Sequence, residues 1–203
     1  HDPNNSNSLV NNKVRAIFED SKGAFWVGTS GDGLHIMDRE KGSFERHIYN
    51  PEKPDALSRP PLKHGGDHIT FINEDNVGAI WIGTYGAGIN RFDPATKKIT
   101  HYQSSNGFPD DTTWNGFISQ DGVLWIATED SNLLFRVDTF HKPVTNTSTT
   151  GAATSYVEDE EGYYWVGTFG NGVLKYDQDK KLIQQFKHDP ADPSSLINDK
   201  VYS

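Results

Sequence analysis

Short runs of apolar, aromatic and β-branched residues recur along this chain, each closed by glycine or by an Asn/Asp-rich turn, and none keeps a helical period for long. One stretch sets the pattern. Gly78-Ala-Ile-Trp-Ile-Gly-Thr-Tyr-Gly-Ala-Gly-Ile-Asn-Arg-Phe-Asp93 returns as Gly23 to Asp38, Gly122 to Asp138 and Gly162 to Asp177, each copy with a tryptophan three residues after its first glycine. Ala79 to Thr84 and Ile89 to Phe92 read as two strands, and Gly86 and Gly88 between them supply the backbone freedom of a tight turn, so each copy predicts a β-hairpin. A lone hairpin is marginal in water, and a chain that repeats one gains stability by stacking the copies.

A further strand on each side of the hairpin completes a four-stranded meander. In the first unit these are strand A at about Val14 to Glu19, B at Ala24 to Thr29, C at Leu34 to Asp38 and D at Ser43 to Tyr49. The second unit places A near His68 to Asn73 and D near Lys98 to Gln103, the third A near Thr113 to Ser119 and D near Lys142 to Thr147, and the fourth A near Thr154 to Glu158 and D near Leu182 to Lys187. The third departs most, with Ala127 for glycine and Glu129-Asp-Ser-Asn132 for the Gly-x-Gly turn. The motif tryptophans Trp26, Trp81, Trp125 and Trp165 lie 55, 44 and 40 residues apart, the period of a propeller blade. The fold class is therefore all-β: a β-propeller section of four four-stranded antiparallel blades, at about 13–49, 68–103, 113–147 and 153–187, with 188–203 as linker and start of a next blade. No helix is needed.

The lead-in His1-Asp-Pro, Ser8-Leu9 and Val14 returns as His188-Asp-Pro, Ser195-Leu196 and Val201, displaced by 187 residues, which reads as a section cut from a longer array and a larger ring. His1-Asp-Pro-Asn is not the start of a secretory signal, so any targeting sequence is expected upstream.

Composition narrows the partners. Lys and Arg total 19 against 28 Asp and Glu, a net charge of -9 that disfavours nucleic acid and anionic lipid surfaces. With no cysteine there is no disulfide, thiolate metal site or cysteine nucleophile, and no apolar run is long enough to span a bilayer.

The second copy, from Glu74-Asp75 through Gly78, Trp81-Ile-Gly-Thr84 and Gly88 to Phe92-Asp93-Pro94, resembles the two-component regulator propeller repeat, as do the Ser-Leu-x-Asn lead-ins at Ser8 and Ser195. The resemblance covers almost the whole chain. It implies a section of a larger, seven-bladed ring in the periplasmic or extracellular sensor portion of a bacterial hybrid two-component histidine kinase, a non-catalytic module that binds an oligosaccharide or similar polar ligand. The remaining blades and signalling domains would lie elsewhere in a parent chain, with a dimer among the arrangements it allows. Two rivals stay open: a propeller lyase or glycan hydrolase, and a structural or protein-interaction propeller.

Features repeated in every blade read as scaffold. That applies to the Gly-x-Gly turns, which lack the following helix of a phosphate loop, to the paired acids Glu19-Asp20, Glu74-Asp75 and Glu158-Asp159 as turn residues, and to the motif tryptophans as core between blades. A binding site needs asymmetry, so the candidates come from breaks in the repeat on the face of the D–A and B–C loops. They are Arg59, Lys63, His64, Asp67 and His68 in the long linker, Tyr85 and Phe169 in B–C turns, Trp114 and Asn115 entering strand A, and Glu129 and Asp130 in the irregular turn. Aromatic faces suit the C–H surfaces of a sugar, and the amides, acids and cations suit its hydroxyls or sulfates. His64-Gly-Gly-Asp-His68 holds three potential ligands, but a solvated loop is the expectation there, with neither metal nor cofactor. Asn4-Asn-Ser6 and Asn146-Thr-Ser148 match the glycosylation acceptor, a frequent chance match.

Overall fold

The computed structural model of the chain describes residues 1–31, 33–47, 50, 52–53, 68–129, 133–138, 145–148 and 152–202. Arg59, Lys63, His64, Asp67 and Asp130 lie outside them. Among the described residues sixteen strands form four four-stranded sheets, and in each sheet strands consecutive in sequence are neighbours. Every register given between neighbours is antiparallel. This is the all-β meander that the hydrophobic pattern predicts. One short 3-10 turn, Ser104–Asn106, is the helical element among the described residues, where none was expected.

The chain divides into two compact units, His1–Ile118 and Ser119–Ser203. The first holds β1 (Val14–Glu19), β2 (Phe25–Thr29), β3 (Gly33–Asp38), β4 (Ser43–His47), β5 (Ile69–Glu74), β6 (Ile80–Thr84), β7 (Ile89–Asp93), β8 (Lys98–Tyr102) and β9 (Thr113–Ile118). Its core is the seam between the first two sheets, where Trp26, Leu34, Ile69, Ile72, Ile80, Ile82 and Phe92 are buried together. Trp26 meets the Phe92 ring edge-on at 5.7 Å.

Two details of the repeated sequence acquire a physical reason here. A Cβ at Gly28 of β2 would lie 2.4 Å from Ile69 Cγ2, and at Gly83 of β6 it would lie 2.1 Å from Phe71 Cε1, so the glycine of each Trp-x-Gly-Thr makes room for a strand-A side chain packed across it. The glutamate of the acid pair latches adjacent blades. Both oxygens of Glu74 accept from Ser21 in the preceding A–B turn, one from the backbone N–H and one from the hydroxyl, each at 2.6 Å.

The second unit holds β10 (Val123–Thr128), β11 (Leu133–Asp138), β12 (Thr145–Ser148), β13 (Ala153–Glu158), β14 (Tyr164–Thr168), β15 (Val173–Tyr176) and β16 (Leu182–Phe186). Leu124, Ile126, Val166 and Leu174 are almost fully buried within it. The latch recurs, with the Gln120 N–H donating to Glu158. Lys180, at a left-handed φ of 65°, brings its ammonium 3.2 Å from the centre of the Tyr164 ring.

The duplicated lead-in is duplicated in structure. The His1 ring faces the Leu9 carbonyl, and the Asp2 N–H and carbonyl both bond the Ser8 hydroxyl; His188, Leu196, Asp189 and Ser195 repeat each contact.

Candidate functional site

The paired acids do more than turn the chain. In three blades the aspartate carboxylate accepts two turn N–H groups through one oxygen and the indole N–H of the motif tryptophan through the other. The indole bonds are Trp26 to Asp20 at 2.9 Å, Trp81 to Asp75 at 2.8 Å and Trp165 to Asp159 at 2.8 Å. These bonds hold Asp159 below the usual carboxylate range, the indole contributing most. In the third blade Ser119 stands in place of the aspartate, its hydroxyl bonding Asp121 and the Val123 carbonyl. The tryptophans are thus fixed scaffold. Trp26, Trp81 and Trp125 are buried as expected, whereas Trp165 is only half-buried, stacked on Phe186.

Fixing the B–C turns places the residues that follow each Trp-x-Gly-Thr. The Thr84 hydroxyl donates to the Gly88 carbonyl at 2.8 Å and accepts from the Ala87 N–H, and the N–H groups of Gly86 and Gly88 both donate to the Asp111 carbonyl, at 3.0 and 2.7 Å. Tyr85 is then held from both sides, its N–H on the His68 carbonyl at 2.9 Å and its backbone bridged to Thr112. Two residues beyond Thr112 stands Trp114, whose strand is pinned by Thr113: its hydroxyl donates to the Thr84 carbonyl at 3.0 Å and accepts from Thr70 at 2.9 Å.

The result in the first unit is a row of rings. His68 lies 5.8 Å from Tyr85, and Tyr85 lies 5.6 Å from Trp114 in an edge-to-face contact. Trp114 is 47% exposed, unlike the buried Trp26, Trp81 and Trp125. The row continues to Ser30, bridged to His68, and to Arg15, whose Nε–H donates to the Ser30 hydroxyl at 2.8 Å. Three of the sequence candidates, His68, Tyr85 and Trp114, thus come together. Asn115 is half-buried, and its side-chain oxygen accepts the Gly116 N–H. Arg15 and Ser30 were missed, although Arg15 is the second residue of strand A in its blade, as Trp114 is in the third.

The second unit carries a matching pair. Phe169, in the turn position of Tyr85, is bridged to Lys200 and lies 5.9 Å edge-on from Tyr202, with the Lys200 ammonium 4.9 Å from its ring centre. Phe169 and Tyr202 are 49% and 67% exposed, and Glu129 is an exposed residue of the same unit. Among the described residues no three His, Asp or Glu groups are placed to hold a metal ion.

Residues 8–31 match the family model of the two-component regulator propeller. Histidine kinase P4 of Formosa agariphila is 24% identical over 200 residues, which cover 94% of this chain and 14% of that protein. The chain therefore spans about a seventh of this relative's length. Among solved structures, the extracellular domain of the hybrid two-component system BT3049 of B. thetaiotaomicron aligns with 98% of this chain and 32% of its own at a TM-score of 0.57 and 21% identity. Virginiamycin B lyase of Staphylococcus aureus aligns with 93% and 60% at a TM-score of 0.67 and 16% identity, a likeness of fold. With the motif written four times and four four-stranded sheets built from it, the chain is similar to the two-component regulator propeller repeat whose family model its residues 8–31 match.

Proposed function

We propose that this chain is a non-catalytic sensing module of a two-component sensor, working in the periplasm or outside the cell, and that the ring row of its first unit helps bind an oligosaccharide. The observation that carries this reading is the exposed Trp114 joined through Tyr85 to His68, three residues from separate turns and strands whose backbones are fixed by hydrogen bonds. An exposed indole flanked by hydroxyl and imidazole groups suits a pyranose ring, which offers C–H bonds on its face and hydroxyls at its rim. Phe169 and Tyr202 offer a second pair of exposed rings. The likenesses to a histidine kinase and to the extracellular part of a two-component system support the sensor assignment.

Calorimetric titration against a panel of oligosaccharides tests this, with reducing ends assayed in the same samples. The expected outcome is saturable binding without cleavage, lost in Trp114→Ala while the melting temperature holds. New reducing ends would make the chain an enzyme. Full affinity in Trp114→Ala would remove the row from the site.

A further inference from the structure

Arg15 stands at one end of the row and Trp114 at the other, the second residues of β1 and β9, with Thr70 of β5 at the same position between them. The other arginines with described side chains are committed. Arg39 pairs with Glu19 at 2.6 Å, Arg46 donates to the carbonyls of Ser8 and Asn5 at 2.7 and 2.8 Å, and Arg91 lies 3.7 Å from Asp75 and over the Trp81 ring. Arg15 gives only its Nε–H, to the Ser30 hydroxyl, and among the described residues no carboxylate pairs with it.

That single bond orients the guanidinium and leaves its terminal amino groups uncommitted. They form the two-pronged donor that grips a carboxylate or a sulfate through paired charge-assisted hydrogen bonds. The chain as a whole carries a charge of -9, which repels a polyanion in general, so an anionic group is attracted only where a local cation is left unneutralised.

We propose that Arg15 selects for an acidic oligosaccharide, its guanidinium binding an anionic oxygen group of the sugar, a uronate carboxylate or a sulfate ester, while Tyr85 and Trp114 take a neighbouring ring. This rests on the sugar-binding reading of the row and adds the charge of the ligand. Arg15 is a specificity residue in this scheme, and Ser30 and His68 form the polar stretch between charge and rings.

The test is calorimetry at low and moderate salt with four probes: tetragalacturonate, its methyl ester, a sulfated galactan tetrasaccharide and its desulfated form. The expected result is that at least one acidic probe binds about tenfold or more tightly than its neutral counterpart, and that added salt narrows the gap. The same gap closes in Arg15→Gln and partly reopens in Arg15→Lys, which restores charge without the fork. Preference within the first pair assigns a uronate, and within the second a sulfate. Equal binding of acidic and neutral partners, still lost in Trp114→Ala, overturns the charge selection and leaves the sugar site standing. Binding of none of the four overturns both. Unchanged melting of Arg15→Gln, expected for an exposed side chain, ensures that a lost preference is not lost folding.

Discussion

Asp75 shows how one residue type can carry a repeat. Its carboxylate is buried, accepts the N–H groups of Val77 and Ala79 and the indole of Trp81, and faces Arg91. Removing it strands a buried indole N–H and two turn amides. We expect Asp75→Ala to cost roughly 3 kcal/mol, because buried donors are left without acceptors, and Asp75→Asn, which keeps one good acceptor, to cost less. Urea denaturation measures both. A midpoint unmoved in Asp75→Ala would mean that water reaches the indole. At this scale the sequence was informative about type and blind to partner. The recurrence of Glu-Asp three to four residues before three of the four motif glycines marked a turn, but the bond that aspartate accepts from a tryptophan six residues on needs the hairpin to fold the strand back beneath it.

At the scale of the element, the B–C hairpin is set by its glycines. Gly88 has φ +70°, and a Cβ there would lie 2.0 Å from the Tyr102 carbonyl oxygen; Gly172 repeats this with φ +71° and 1.9 Å from the Phe186 carbonyl oxygen. Gly88→Val combines a left-handed β-branched residue with a backbone collision against β8. A loss of at least about 2 kcal/mol is expected from the conformational penalty together with the steric shift. A melt within error of the unsubstituted protein would show that β8 can move away. The hairpins were legible because alternation and Gly-x-Gly are local signals. The Thr84 hydroxyl bonds and the Asp111 carbonyl that receives both turn amides were not, since Asp111 lies more than twenty residues from the turn in sequence. For the same reason the row of rings was only half legible. Breaks in the repeat pointed to His68, Tyr85 and Trp114, whereas Arg15 sits in a blade that keeps to the plan and is notable only for where its neighbours place it.

Across the molecule, stability and pH are tied through a histidine in the first blade. His35 is fully buried, and both ring nitrogens are committed: Nε2 accepts the Val10 N–H at 3.1 Å, while Nδ1, facing the Val27 carbonyl at 3.2 Å, must donate. Only the neutral Nδ1–H tautomer meets both partners, and burial, with the Arg46 and His47 charges adding to it, lowers the pKa despite the Val27 carbonyl. His47 is lowered as well, again chiefly by burial. A histidine whose folded pKa is depressed contributes its full stability above the unfolded value of 6.5 and loses it as pH falls below that, because the unfolded chain then takes up the proton first. The carboxylates Asp38, Asp93, Asp159 and Asp192 are also lowered, from 3.8, so their contribution is lost only as pH falls below that value. The interval from pH 7.5 to about 5 therefore isolates the histidines. Denaturant midpoints should fall across it. Since β7 places Asn90 against Ile82 where β3 places His35 against Val27, His35→Asn offers a donor and an acceptor at the same register position and should flatten the fall. A protein equally stable at both pH values would mean that protonated His35 keeps its place, with the Val10 N–H finding another acceptor and the lead-in segment free of this control.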